Sequence, residues 1–203
     1  MKKELLILFF LIATFHLYAK QETYLIDNEA WAKGNFIEIG INSIGVFGSN
    51  GLNKPNSFHA NRFSPRFGFI ANPKKDNWVD YDGDFFAPGN PEEGFTIQVG
   101  ENYYSNNNNN NKDSNVLQEI PGKIISNKTL KSSCYENIAQ VVWEGSKENL
   151  KIKRFYNITE NGLFIQMITS VKNKSEENEA LRYAQGDTSV CFILFPLYNF
   201  VSF

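Results

Sequence analysis

Six carboxylates fall within the stretch DNWVDYDGDFFAPGNPEEGF, Asp76 to Phe95, among aromatic, glycine and proline residues. Asp80, Asp82 and Asp84 alternate as D-x-D-x-D, and Glu92 and Glu93 follow on the far side of Pro91. Hard cations take six to eight oxygen ligands, and alternate carboxylates in a tight turn can converge on one point, so these five residues form a candidate calcium site. An EF-hand is excluded: Gly83 comes too early, the twelfth position is Pro91, and Glu92 comes one residue late. A calcium loop of another kind would complete its shell with backbone carbonyls and Glu92 or Glu93. The competing reading is a loop whose Asp side chains accept local N–H bonds in Asx-turns. A third reading takes Asp82, Asp84, Glu92 and Glu93 as a source of the carboxylate pair of a glycosidase, with Trp78, Tyr81, Phe85 and Phe86 stacking on sugar.

Other chemistries find little support. A Ser-His-Asp arrangement would have to use His59, and no nucleophile-elbow pattern is present. Cys134 and Cys191 lack metal-ligand spacing; they read as a disulfide or as two buried thiols. Neither a phosphate loop nor a dinucleotide fingerprint occurs. With a formal charge of −2 and a pI near 5.8, the chain has no basic field to hold nucleic acid. Trp31, Trp78 and Trp143 read as core rings, because aromatic burial dominates such domains.

The elements that must position these residues are strands. Ile37, Ile39 and Ile41 alternate in NFIEIGIN, RFGFIANP is a second short strand, and GFTIQVGENYY is a third with Phe95, Ile97 and Val99 on one face. The run Asn106–Asn111 reads as the tip of a flexible loop over residues 105–115, since Asn favours turns. From Gly122 the rhythm is regular: GKIISNKTL, ENIAQVVWEG, ENLKIKRFYNI, GLFIQMITSVKN and EALRYAQ are separated by polar turns. In the third of these, Leu150, Ile152, Arg154 and Tyr156 share one face. Short alternating strands joined by polar turns make an antiparallel meander, whose apolar face needs a second sheet. The expected fold is all-β, an antiparallel β-sandwich with a C-terminal meander.

The ends of the chain carry separate signals. Lys2 and Lys3, the apolar run Leu5 to Leu17 and the small residue Ala19 form a secretory signal pattern over residues 1–19. The mature chain is therefore expected to be secreted or at the cell surface, with no transmembrane segment once the leader is removed. The tail CFILFPLYNFVSF is uncharged and does not alternate.

Three segments together, WAKGNFIEIGIN, GFIANPKKDNWVDYDGDFFAPGNPEEGF and the VVWEG, LKIKRFYNI and LFIQMITSVKN strands, resemble a β-rich module of large secreted surface proteins of gliding and adhesive Bacteroidetes bacteria. The resemblance spans Trp31 to about Tyr183. It implies export from a bacterial cell, a sandwich-like fold over residues 20–187, and an N-terminal fragment of a longer protein. It implies no catalytic residues. Similar modules end their last meander strand in a Tyr-rich segment containing Asp-Pro-Asp, whereas LRYAQGDTSV departs from that pattern after Asp187. Residues 188–203 are accordingly expected to be an apolar tail read out of frame; the competing reading is a fully buried final strand, which Pro196 weakens. Two functions follow as expectations. One is a non-enzymatic module for adhesion or extracellular-matrix architecture, stabilised by calcium, with an extracellular glycan or protein as ligand and no nucleic acid. The other is a carbohydrate-active enzyme or carbohydrate-binding accessory using the loop 76–95.

Overall fold

The computed structural model describes residues 21–58, 66–71, 93–108, 116–131, 136–174 and 189–196; residues 66, 71, 108, 116 and 189–196 are described by backbone alone. The described chain is all-β and its sheets are antiparallel. One sheet has the order β1 (Glu22–Ile26), β2 (Glu29–Lys33), β3 (Ile37–Ile41) and β6 (Phe69–Ala71). A two-residue ladder, β4 (Ser49–Asn50) with β5 (Arg66–Phe67), lies beside it. A three-stranded sheet follows: β7 (Gly94–Val99), β8 (Asn102–Asn108) and β9 (Val116–Gln118). The last sheet is β10 (Gly122–Leu130), β11 (Ile138–Lys147), β12 (Leu150–Thr159), β13 (Phe164–Asn173) and β14 (Ser189–Pro196), each paired with the next. Of these, β10 to β13 are the expected meander, whereas β14 comes from the apolar tail, and EALRYAQ, expected as the fifth strand, lies outside the described residues. Among the described residues no helix is long and apolar enough to cross a membrane.

Period-two patterning accounts for the core. Ala30 and Ala32 of β2 and Ile37, Ile39 and Ile41 of β3 point to one side of their sheet. There they join Val141, Trp143, Ile152, Tyr156 and Met167 from the inner face of the meander in a single cluster. Each fully buried Ile contributes roughly 1.5–3 kcal/mol of transfer free energy. The opposite side of the four-stranded sheet is covered too: Trp31 of β2 and Ile70 of β6 cluster there with Phe58 and Phe67. This explains why all five residues of β3 are buried, Glu38 and Gly40 included, where alternation alone suggests a strand with one wet face.

Three details depart from the expected elements. RFGFIANP is broken at Gly68, with Arg66–Phe67 pairing β4 and Phe69–Ala71 pairing β3. GFTIQVGENYY is a hairpin rather than one strand: Val99 pairs Asn102 across Gly100 and Glu101. Gly100 has φ +61°, the left-handed backbone that the first position of a two-residue type II′ turn requires. β8 then runs three residues into the asparagine stretch, ending at Asn108. Residues 109–115 lie outside the described residues.

Two edges are tied together. β1 and β10 are the outer strands of their sheets, and the Asn127 amide donates to the Tyr24 carbonyl while Asn28 Oδ1 accepts from Ile124 N at 3.1 Å. A bulge at Ile125 bends β10 there, consistent with the tendency of bulges to sit where strands turn toward a neighbour. At the other edge the apolar tail carries its backbone alongside β13, from Ser189 opposite Val171 to Pro196 opposite Phe164. Proline is tolerated at such a position because it lies at an edge and at a strand end.

Candidate functional site

Polar side chains from four elements converge on one short loop, Asn42–Phe47, which follows β3. The loop ties itself first. Asn42 Oδ1 accepts from Ile44 N and Val46 N, both at 3.2 Å, and Asn42 N donates to Val46 O at 2.9 Å. Gly45 sits at its apex with φ +77°, and a Cβ there would run into the Trp143 ring. Glycine is therefore required on two counts, backbone conformation and space.

The surrounding strands hold the loop by its backbone. Trp143 Nε1 on β11 donates to Ser43 O at 3.0 Å. Asn106 Nδ2 on β8 donates to Ile44 O at 2.9 Å. On β12, Arg154 Nη1 and the Tyr156 hydroxyl both donate to Gly45 O at 2.7 Å. Glu93, just before β7, accepts from Phe47 N at 2.6 Å with one oxygen and from Arg154 Nη2 at 2.9 Å with the other. Ser43, Ile44, Gly45 and Phe47 are thus fixed through main-chain atoms, and the loop locks the four-stranded sheet to the meander and to β7–β8.

Arg154 is the centre of this clamp. It lies at an inward position of β12, 4% exposed, with its guanidinium 4.5 Å from the Phe95 ring centroid. Burial works against its charge, but Tyr156 and Glu93 work the other way, and its pKa stands above the ordinary arginine value. A buried charge of this kind is tolerated when it is paired and hydrogen-bonded; Glu93 supplies the opposite charge and, with the Gly45 carbonyl, takes one N–H from each terminal nitrogen. Burial also pushes the Tyr156 phenol well up, with Arg154 pulling down and Glu93 pushing up, so the hydroxyl remains a neutral donor.

Asn106 forms a second saturated node. Its amide donates to Ile44 O and to Ile120 O at 3.0 Å, and its oxygen accepts from Glu119 N at 3.1 Å and Ile120 N at 2.9 Å. Two donors and two acceptors satisfy the side chain completely at zero exposure. This residue opens the run expected to be a flexible tip, and its order comes from that network rather than from intrinsic propensity.

Of the candidate calcium ligands, Glu93 is described and is turned toward Arg154 and Phe47 N. Asp80, Asp82, Asp84 and Glu92 lie outside the described residues, as do Trp78, His59 and Cys134. Among the described residues no three His, Cys, Asp or Glu side chains are grouped to share a metal ion. Trp31 and Trp143 are fully buried, in keeping with their reading as core rings. The residue that sequence reasoning passed over is Arg154. Its signal was present, an arginine in phase with Ile152 and Tyr156 on an otherwise apolar strand face. Chemically the site positions rather than reacts: each polar group that it brings together has another of its own groups or a main-chain atom as partner. No family model, no curated protein and no solved structure matches the chain.

Proposed function

We propose that the chain is an exported, non-enzymatic β-module of a bacterial cell-surface or secreted protein, acting in adhesion or extracellular-matrix architecture. The observation that carries this reading is the use made of the buried polar groups. Arg154, Glu93, Tyr156 and Asn106 all face one another or main-chain atoms, those of the loop Asn42–Phe47 and, for Asn106, of Glu119 and Ile120 as well. A constellation so engaged rigidifies the junction of three sheets, as an extracellular load-bearing module requires. Glu93 also has a bearing on the glycosidase reading, because one of its four candidate carboxylates is held by an arginine. The secretory pattern of residues 1–19 and the resemblance to surface modules support the location. Calcium bound by Asp80, Asp82 and Asp84 would add stability by mass action.

The test is to incubate the mature protein with a panel of extracellular polysaccharides, with and without calcium, and to assay new reducing ends. The expected result is no product at any enzyme-like concentration. Sustained release of reducing ends, abolished by Asp82→Asn or Glu92→Gln, would replace this reading with the glycosidase one.

A further inference from the structure

We propose that the outer face of the meander binds an acidic polysaccharide through a lysine-rich end. This rests on the reading of the chain as an extracellular module and adds to it a site and a ligand class. Residues opposite one another in the register share a face. Lys123, Glu144, Lys153 and Ser170 form one outward row across β10 to β13. Ser146, Lys151 and Lys172 form the next row, and Lys174 Nζ reaches Ser146 Oγ at 3.2 Å. Among the described residues this end of the face carries five lysines and one glutamate, in a chain whose formal charge is −2. Its partner is therefore anionic. Glu144 holds Lys151 at 3.1 Å and Lys153 at 3.2 Å, which orders two of the ammonium groups side by side.

The remainder of the face selects among anions. Beside the lysines runs an apolar row in which Phe155 and Ile168 are half-buried and Val142 lies buried between its neighbours. Beyond it runs a row of amides, in which Gln140 Nε2 donates to Asn157 Oδ1 at 2.9 Å and Asn157 Nδ2 donates to Gln166 Oε1 at 3.0 Å. Ammonium groups meet carboxylate or sulfate, an apolar strip meets the C–H faces of sugar rings, and amides meet hydroxyls. A lipid surface would instead have to desolvate the amide row without replacing its hydrogen bonds. A nucleic acid is disfavoured by the acidic balance of the chain as a whole, whose formal charge is −2.

The experiment measures binding of the whole mature chain to immobilised polygalacturonate, dextran sulfate and neutral dextran, and to phosphatidylserine vesicles. Polygalacturonate or dextran sulfate should retain the protein, neutral dextran should not, and salt at about 1 M, where the screening length is about 3 Å, should release it. The double substitution Lys151→Gln, Lys153→Gln should weaken retention about 25-fold, at roughly fivefold for each lysine removed from an anionic surface. Lys123→Gln, which leaves the Glu144 pairs intact, should weaken it about fivefold on the same basis. Retention unaffected by all three substitutions, equal retention on neutral dextran, or tighter binding to vesicles than to either acidic polymer would overturn the inference. Depolymerisation of the polymer would instead overturn the non-enzymatic reading, so the two failures are distinguishable.

Discussion

Replacing Arg154 by Met keeps the length and apolar stem of the side chain and removes its charge and donors. The loss can be worked from the contacts. Arg154 makes one charge-assisted bond to Glu93 at 2.9 Å and one to Gly45 O at 2.7 Å. Removing one partner of a fully buried pair costs about 3–5 kcal/mol, chiefly through the charge left behind. Here two facts reduce the figure. Gly45 O keeps the Tyr156 hydroxyl, and the Glu93 side chain is 16% exposed and keeps Phe47 N. About 2–4 kcal/mol is therefore expected. At roughly 2–4 °C per kcal/mol for a domain of this size, the melting temperature should fall by about 4–16 °C. Adding Glu93→Gln removes the stranded charge, so the double variant should be more stable than the sum of the single losses, with a coupling of about 1 kcal/mol or more. Urea and thermal unfolding of the four proteins would measure this. An Arg154→Met melting temperature within about 1 °C of the parent, or strictly additive losses, would refute the clamp.

Further outcomes follow from the same geometry. Asn106→Leu strips a partner from two carbonyls and from Ile120 N at a fully buried position, while Glu119 N keeps Ser105 O at 3.0 Å; at about 1–3 kcal/mol per orphaned group it should cost about 3 kcal/mol or more by urea unfolding. Tyr156 has its folded pKa raised by burial, so the unfolded phenol releases its proton first as pH rises; stability should hold up to about pH 10 and fall above it. Tyr156→Phe should cost about 1 kcal/mol at neutral pH and move the alkaline unfolding midpoint upward, both readable by circular dichroism. Millimolar calcium should raise the melting temperature of the parent and leave Asp82→Ala unchanged; no calcium effect on either protein would leave residues 80–84 as an acidic turn.

Much of the meander was legible because β10 to β13 satisfy a single rule, alternation bounded by polar turns. GKIISNKTL is β10 from end to end. The N-terminal half was less so. RFGFIANP carries its break at Gly68, and the choice between one strand and two depends on which partners, β3 and β4, flank it in space. The asparagine run misleads for a related reason. Propensity describes an isolated chain, whereas Asn106 is ordered by Ile44, 62 residues away, and by Ile120. Arg154 showed its inward phase in sequence, but nothing local connects it to Glu93, 61 residues earlier, or to the carbonyl of Gly45. Such pairings belong to the packing of sheets and are visible only once the sheets are in place.

The proposal of an exported module is tested most directly by the intact mass and location of the native protein. Cells are fractionated into cytoplasm, envelope and medium, and the chain is weighed from each fraction. The expected result is a chain in the envelope or medium that lacks residues 1–19, cut near Ala19. A chain retaining Met1 and confined to the cytoplasm would contradict it.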